Sequence, residues 1–330
     1  MSTNFKYGLK SRGVPVEALG FGYGIASTST IYFVDGTNGN DGNTGMDPSA
    51  AFASIKKAID TANAMDVIYV IPKEWVTGGL WLNGNPYTED AATINYAKCG
   101  LTIVGVGHQA LRGKAYSAVW KDNSTSAQVT VNAPMCAFEN LAFERSSGTS
   151  GQIYINGNVG GTSEGALTTI YNCHFHYGRG SGTGGDTGGA VYIDGAWGTT
   201  VSNCSFLGCL NGIAAKSNTA TTGNMVFTNN IFMSRLTTPS DISCDIYVYT
   251  QGSESLVIDG NLFAHLLPTG GTNRFISIQS DVRTGLISNN MFGTAQGSDI
   301  TIAHNGTGVT CPDNMGVGAN YCNGKLIATT

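Results

Sequence analysis

Six times along this chain an apolar residue, any residue, Asn or Gly, two further residues and a phenylalanine follow one another in that order. The copies are Phe138–Phe143, Ile170–Phe175, Val201–Phe206, Phe227–Phe232, Ile258–Phe263 and Ile287–Phe292, and their phenylalanines are 32, 31, 26, 31 and 29 residues apart. After each copy comes a loop of variable length and a short alternating segment: GQIYIN, GAVYID, NGIAAK, CDIYVY, RFISIQ and SDITIA. Self-similarity at a fixed period is the signature of a repeat architecture. Short strands, a turn residue at a fixed offset and loops of unequal length specify a parallel β-solenoid. Each copy is one coil, and its apolar face is buried only when the next coil stacks on it at the inter-strand spacing.

Stacking turns motif positions into columns. Phe143, Phe175, Phe206, Phe232, Phe263 and Phe292 form one inward stack, and the apolar residue five places earlier forms a second. The central Asn, replaced by Gly260 in the fifth copy, fits a sharp bend, because both residues tolerate the left-handed backbone conformation. The next column reads Leu141, Cys173, Cys204, Asn230, Asn261 and Asn290. Three stacked Asn amides can bond one to the next along the coil axis. Cys173 and Cys204 read as buried, reduced thiols rather than a redox site.

Composition agrees. Gly (46), Thr (36) and Asn (28) make up about a third of the 330 residues, a mixture that disfavours helix and favours strands joined by tight turns. With 41% apolar residues the chain can bury a sizeable core. The net charge is −5, and Lys56-Lys57 is the largest basic cluster, so a nucleic-acid partner is not expected. The N-terminus lacks the apolar core of a secretory signal and no stretch is long enough for a membrane span, so synthesis in a cytosol, with no membrane partner, is expected. Eight Cys in a chain this long do not make a disulfide framework. Cys311 and Cys322 lie outside the repeat, and whether they bridge under oxidising conditions is left open.

The ends differ from the middle. A strand (31–34), a Gly/Asn/Asp loop and a strand (67–71) flank a segment with Phe52, Ile55, Ala58, Ile59 and Ala62 at helical spacing. Pro48 or Ser49 suits its start. A helix over about 48–64 is expected to cap the open solenoid end, where core and strand edge are otherwise exposed. The β-helix is expected over 31–309. Residues 1–30, with Lys6, Lys10 and Arg12 against Glu17, read as an extended arm that docks onto another protein and orders on contact. Residues 310–330 depart from the repeat and read as a C-terminal cap segment.

YFVDGTNGNDGNTGMDPSAAFASIKKAID resembles the opening of right-handed parallel β-helix proteins of the pectate-lyase-like superfamily. There a V-D-x-x-x-G-x-D-G-x-x-G…P…AF-x-T/S-I-x-x-A segment precedes the first coils, and the six copies resemble the later ones. The resemblance runs from Ile31 to Asn305 and implies an all-β, single-stranded right-handed parallel β-helix. It implies no single activity, because the superfamily includes polysaccharide lyases, glycosidases, phage tailspikes and non-catalytic structural proteins. The start, NFKYGLKSRGVPVEALGFGYGI, resembles short arms on β-helical proteins encoded with tailed-phage structural genes. This second resemblance implies a virion protein and a homo-oligomer, with a trimer the form common among such phage β-helices.

Chemistry on the scaffold is sparse. A galacturonan hydrolase of the superfamily would show closely spaced Asp residues, Asn-Thr-Asp, Gly-His-Gly and Arg-x-Lys; only the last occurs, as Arg112-Gly113-Lys114. Column reading brings Glu144, Arg145, His176 and Tyr177 together on two adjacent coils, within reach for acid–base work. A glycosidase needs a second carboxylate, which Asp186 or Asp194 would have to supply from loops; a solvated surface pair is the plainer reading. Asp35, Asn38, Asn40 and Asp41 offer oxygens to Ca²⁺, or form a turn held by its own side chains. The run GRGSGTGGDTGG reads as a projecting loop, not a phosphate loop. Trp75, Trp81 and Trp197 could serve as sugar platforms. The sequence-level expectation is a non-catalytic bacteriophage virion surface component: a capsid decoration or cement protein, head spike or fibre. It docks through its arm onto capsid or tail proteins and needs no cofactor. The alternative is a tailspike-like depolymerase that binds and cuts a host surface glycan.

Overall fold

The computed structural model describes residues 10–11, 14–15, 29–73, 86–107, 118–122, 126–145, 151–157, 165–177, 189–209, 211–217, 222–233, 244–250, 254–264, 274–278, 282–293, 300–304, 308–316, 319–322 and 325–327. Three long sheets wrap one core. Sheet A has ten strands, from Ile31–Asp35 to Val309–Thr310; sheet B has nine, from Tyr87–Glu89 to Met315–Gly316; sheet C has ten, from Ala92–Ile94 to Lys325–Ile327. From Val67–Ile71 to Ala319–Cys322 the chain visits A, B and C in turn, and neighbours within each sheet come from successive coils. Pairing is parallel throughout these sheets except between Ala319–Cys322 and Lys325–Ile327. This is a right-handed parallel β-helix, and the six alternating segments that follow the motif copies are strands of sheet C.

The motif is the corner between sheets A and B. In the third to eighth coils only one or two residues separate the two strands, and the first of them, Asn140, Asn172, Asn203, Asn229, Gly260 or Asn289, has a φ of 53°, 56°, 54°, 57°, 66° or 53° in turn. All six are left-handed, which is why Asn or Gly recurs there. The corner places the phenylalanine inward on sheet B. Rings from Phe143 to Phe292 stack face to face at centroid distances of 5.2, 4.9, 4.8, 4.9 and 4.8 Å. The column continues backwards through Trp120 and Tyr87, in register with Phe143 and both buried. Neither belongs to a copy of the motif, because longer A-to-B connections (72–86 and 106–117) break its spacing.

The Asn column behaves as a ladder. Asn230 Nδ2 donates to Asn261 Oδ1 at 3.1 Å and Asn261 Nδ2 to Asn290 Oδ1 at 2.9 Å. The same oxygens accept from the backbone N–H groups of Asn230 and Asn261, at 2.9 and 3.0 Å. Each amide also donates to a carbonyl one coil back: Val201, Phe227 and Ile258, all at 3.0 Å. Every buried polar atom of the rung thus has a partner. A fourth rung, Asn314, accepts from Asn290 Nδ2 at 2.9 Å. At the other end Cys204 N–H donates to Asn230 Oδ1 at 2.9 Å, and Cys173 N–H to Cys204 Sγ at 3.4 Å, so a thiol takes over the acceptor role.

Asn314 belongs to a degenerate seventh copy, Cys311-Pro312-Asp313-Asn314-Met315-Gly316. Asp313 holds the left-handed bend at φ 56° and Gly316 pairs with Phe292. The coils therefore continue past the expected boundary at 309: strands Val309–Thr310, Met315–Gly316 and Ala319–Cys322 add to sheets A, B and C. Loss of the phenylalanine hid this coil from the motif. The side chain of Cys322 lies outside the described residues, and with it the Cys311–Cys322 pairing.

At the N-terminal end the helix is shorter than expected. Pro48–Ala50 is a 3-10 turn, and helix α1 spans only Ile55–Thr61, with Ser54 as its N-cap. The intervening Phe52 is claimed by the sheet: its N–H donates to Phe33 O and its carbonyl accepts from Asp35 N–H, at 2.9 and 2.8 Å. Glu89 accepts from the N–H groups of Ile55 and Lys56, both at 2.8 Å, and Lys98 Nζ donates to the Ala62 carbonyl at 2.6 Å. Opposite charges thus hold the two ends of α1. Ile55, Ala58 and Ile59 are buried against the first coils, so the helix covers that end of the core. Of the N-terminal arm, Lys10–Ser11 and Val14–Pro15 pair antiparallel as a sheet of their own; Lys6 and Arg12, and the side chain of Lys10, lie outside the described residues.

Two substitutions test the columns. Phe206→Ala should cost about 3–5 kcal/mol by opening a cavity in the ring stack. Asn261→Ala should cost about 2–5 kcal/mol, because it strands two buried donors of Asn230. Urea unfolding measures both; a loss under about 1 kcal/mol for Asn261→Ala would mean that the ladder is not a source of stability.

Candidate functional site

Alternation along sheet B sends Phe143 and Phe175 into the core and their neighbours outward. Register sets Glu144 between Lys121 and His176, and Ala142 between Val119 and His174. Lys121 Nζ meets Glu144 Oε1 at 3.1 Å, both groups half-buried. The ring of His176 lies 3.6 Å, centroid to centroid, from that of Tyr177, which has a left-handed backbone (φ 53°) and is 37% exposed. Three of the four expected acid–base residues therefore do share a face.

The fourth does not. Arg145 starts the turn towards sheet C, and its side chain is fully buried. Nη1 donates to the Gly151 carbonyl at 2.7 Å and Nη2 to that of Ser126 at 2.9 Å. The column reading carried strand alternation one residue past the strand's end, where the chain turns and takes the guanidinium inside. Gln128 and Gln152 do similar work at this corner: Gln128 Nε2 donates to the Trp120 and Glu144 carbonyls, and Gln152 Nε2 to those of Phe143 and His176. Arg145 is thus a brace for backbone carbonyls, and the outward cluster has one carboxylate, already paired with Lys121.

The structure adds a residue that the column reading passed over. His174 is 2% exposed, and its Nδ1 lies 2.6 Å from Ser205 Oγ on the next coil. Burial pushes its pKa down to about 4. Burial, then the neighbouring His174 and Lys121, push His176 down to about 4 as well, so both imidazoles are neutral at pH 7. The signal in the sequence was the alternation His174-Phe175-His176, which puts both imidazoles on one side of a strand. Further along, the same side of sheet B carries Ile231, Met233, Leu262, Ala264, Met291 and Met315, with no charged residue among them; Met291 is 48% and Met315 53% exposed.

The N-terminal carboxylates are committed to their own loop. Asp35 accepts from Thr37 N–H, Asn38 N–H and Asn38 Nδ2 at 2.9, 3.1 and 3.2 Å. Asp41 accepts from Ala53 N–H, Ser54 N–H and Ser54 Oγ at 2.9, 2.9 and 2.8 Å, and Asn40 Oδ1 from Gly42 N–H at 2.8 Å. These bonds fold the loop onto the capping segment. On sheet C, Tyr154 and Tyr192 stack at 5.2 Å, and Tyr154 Oη donates to Asp194 Oδ2 at 3.1 Å. Trp197 is half-buried, and its backbone bridges to Gly223. Trp75, Trp81, Asp186 and the Arg112–Lys114 fragment lie outside the described residues.

No protein-family model matches the sequence, and no curated protein matches it at a significant level. Among solved structures, pectin methylesterase from Aspergillus niger is similar at 13% identity, over 90% of this chain and 88% of that one, with a TM-score of 0.46. PfbA, a surface adhesin of Streptococcus pneumoniae, is similar at 11% identity over 78% of each chain, with a TM-score of 0.40. Pectate lyase Pel9A is similar at 14% identity over 87% of this chain and 78% of that one, with a TM-score of 0.35.

Arg145→Ala should destabilise the fold by about 3 kcal/mol, since it strands buried carbonyls, whereas Glu144→Ala should cost under about 1 kcal/mol. Thermal or urea unfolding separates the two, and equal effects would return Arg145 to the surface cluster. A pH dependence follows from Glu139, on sheet A. It is 5% exposed, its Oε1 has no partner, and burial pushes its carboxyl up to about 7. The folded state then holds a proton that the unfolded chain releases above about pH 4.5, so this group's contribution favours folding at low pH and is lost as pH rises through 7. Glu139→Gln should therefore raise stability at pH 8 more than at pH 5; an equal change at both would contradict the shift.

Proposed function

We propose that this chain is a non-catalytic bacteriophage virion structural protein, a β-helical component of the particle surface. The observation that carries the reading is the outward side of sheet B from Ile231 to Met315, apolar and uncharged, with methionines about half exposed at its end. An exposed apolar patch of this kind marks a protein interface. The commitment of Arg145, Asp35 and Asp41 to backbone contacts supports a scaffold rather than a catalyst. In this reading the face packs on another copy of the chain in a homo-oligomer, a trimer by the phage resemblance. The arm bearing Lys6, Lys10 and Arg12 docks the assembly onto capsid or tail proteins. The protein is made in the host cytoplasm and resides on the virion. Among the described residues no helix is long and apolar enough to cross a membrane.

One observation favours the alternative of a glycan-binding, tailspike-like depolymerase: the Tyr154–Tyr192 stack with Asp194 offers aromatic faces beside a carboxylate, a surface that suits a sugar ring.

Deleting residues 1–29 should leave a soluble β-helix that no longer binds its particle, read by co-sedimentation with particles lacking the protein. Retained binding would move docking onto the solenoid. Met291→Lys with Met315→Lys should convert an oligomer to a folded monomer in sedimentation velocity, and an unchanged mass would remove the face from assembly. Incubation with host capsule or lipopolysaccharide should release no reducing ends or unsaturated sugars. Release abolished by Glu144→Ala with His176→Ala would make that patch a catalytic site.

A further inference from the structure

We propose that residues 19–25 of the N-terminal arm, which lie outside the described residues, pack as an extended strand on the outward side of sheet A, over the first coils of the same chain. On that side Phe33, Tyr69, Val104 and Glu139 fall in one row and Ile31, Val67, Thr102 and Ala137 in the next. Phe33, Val67, Tyr69, Ala137 and Glu139 are only 4–8% exposed, although strand alternation points them away from the core. Further along the same rows, from Tyr171 to Asp259 and from Thr169 to Val257, every residue is partly exposed, and Leu286 is 38% exposed. The later coils show what a bare face of this sheet looks like, so something lies over the first ones. Among the described residues, Ala51 is the one buried member of this apolar cluster from outside the sheet.

The arm has the pattern for that cover. Leu19-Gly20-Phe21-Gly22-Tyr23-Gly24-Ile25 alternates four large apolar residues with three glycines. In an extended backbone all four side chains stand on one side and the other side is bare. Left in water, the segment would expose a continuous apolar strip. Laid on Phe33, Tyr69 and Val104, it buries strip and patch together. The course of the chain brings it there. Thr30 is fixed at the edge of the patch, its N–H donating to Asp66 Oδ1 at 2.7 Å and its carbonyl accepting from Val67 N–H at 3.0 Å. The chain from Ile25 to Thr30 is short enough to keep Ile25 within about 18 Å of Thr30. Phe33 and Tyr69, with rings stacked 5.9 Å apart, form the floor of the contact. The connections that follow Val67–Ile71 and Thr102–Gly105 carry no such alternation. The anchor is independent of what residues 1–18, with Lys6, Lys10 and Arg12, dock onto.

Limited proteolysis of the full chain with chymotrypsin, read by mass spectrometry, tests the contact. Phe5 and Tyr7 precede the anchored segment and should be cut at least about ten-fold faster than Phe21 and Tyr23. Val104→Asp, at a partly buried position of the patch, should release the segment and bring cutting at Phe21 and Tyr23 up to the rate at Phe5 and Tyr7. Phe21→Ser with Tyr23→Ser changes only the arm, and it carries the test if Val104→Asp prevents folding. This double variant should bind more of an apolar fluorescent dye while circular dichroism shows the β-helix intact. Equal cutting at all four sites in the wild type would overturn the anchor. So would protection of Phe21 and Tyr23 that persists in a folded Val104→Asp, which would put the segment elsewhere. Unchanged dye binding in the double variant would overturn it too, by giving the cover to another part of the chain.

Discussion

Everything in this molecule depends on holding one corner identical from coil to coil. The left-handed residue between sheets A and B fixes where the phenylalanine enters the core. Only if that residue recurs do the rings fall within stacking distance. A one-residue slip would turn every outward side chain of sheet B inward. The Asn rungs oppose such a slip, because each amide reads the coil on either side through side-chain and backbone bonds together. Hydrophobic burial alone has no direction; the ladder supplies one.

This dependence explains which parts of the fold were legible in the sequence. Where the corner is only one or two residues long, the motif, the ring stack and the rungs from Asn230 to Asn290 could all be read from spacing. Tyr87 and Trp120 occupy the same column but follow longer connections, so spacing gave no sign of them. Asn314 has the right neighbours, yet Gly316 stands where the motif requires Phe. The helix was placed too early because Pro48 and Ser49 are good starting residues in isolation. A backbone pairing with the Ile31–Asp35 strand, invisible to local propensity, keeps Phe52 extended.

The site was legible to a lesser degree, for a related reason. Column reading predicts neighbours well inside strands, as with Glu144 and His176, and poorly at strand ends. Arg145 follows a strand by one residue and turns into the protein. His174 precedes the phenylalanine, outside the two columns that follow it, although strand alternation places it on the same side as His176. That His174 Nε2 and His176 Nδ1 are buried without a hydrogen-bond partner is a three-dimensional property, and no spacing rule announces it. The result is a surface with two characters: a polar cluster from Lys121 to His176, and an uncharged apolar strip beyond it. Such a division suits a protein whose working surface is an interface, with the solenoid core as its rigid support.

Hydrogen exchange resolved to single amides tests the corner most directly. If the Asn ladder locks the coils into one cooperative unit, the N–H groups of Cys204, Asn230, Asn261 and Asn290 exchange as slowly as the core strand amides and share their dependence on denaturant. Exchange of these corner amides at the rate of open loops, while the strands on either side stay protected, would contradict that role.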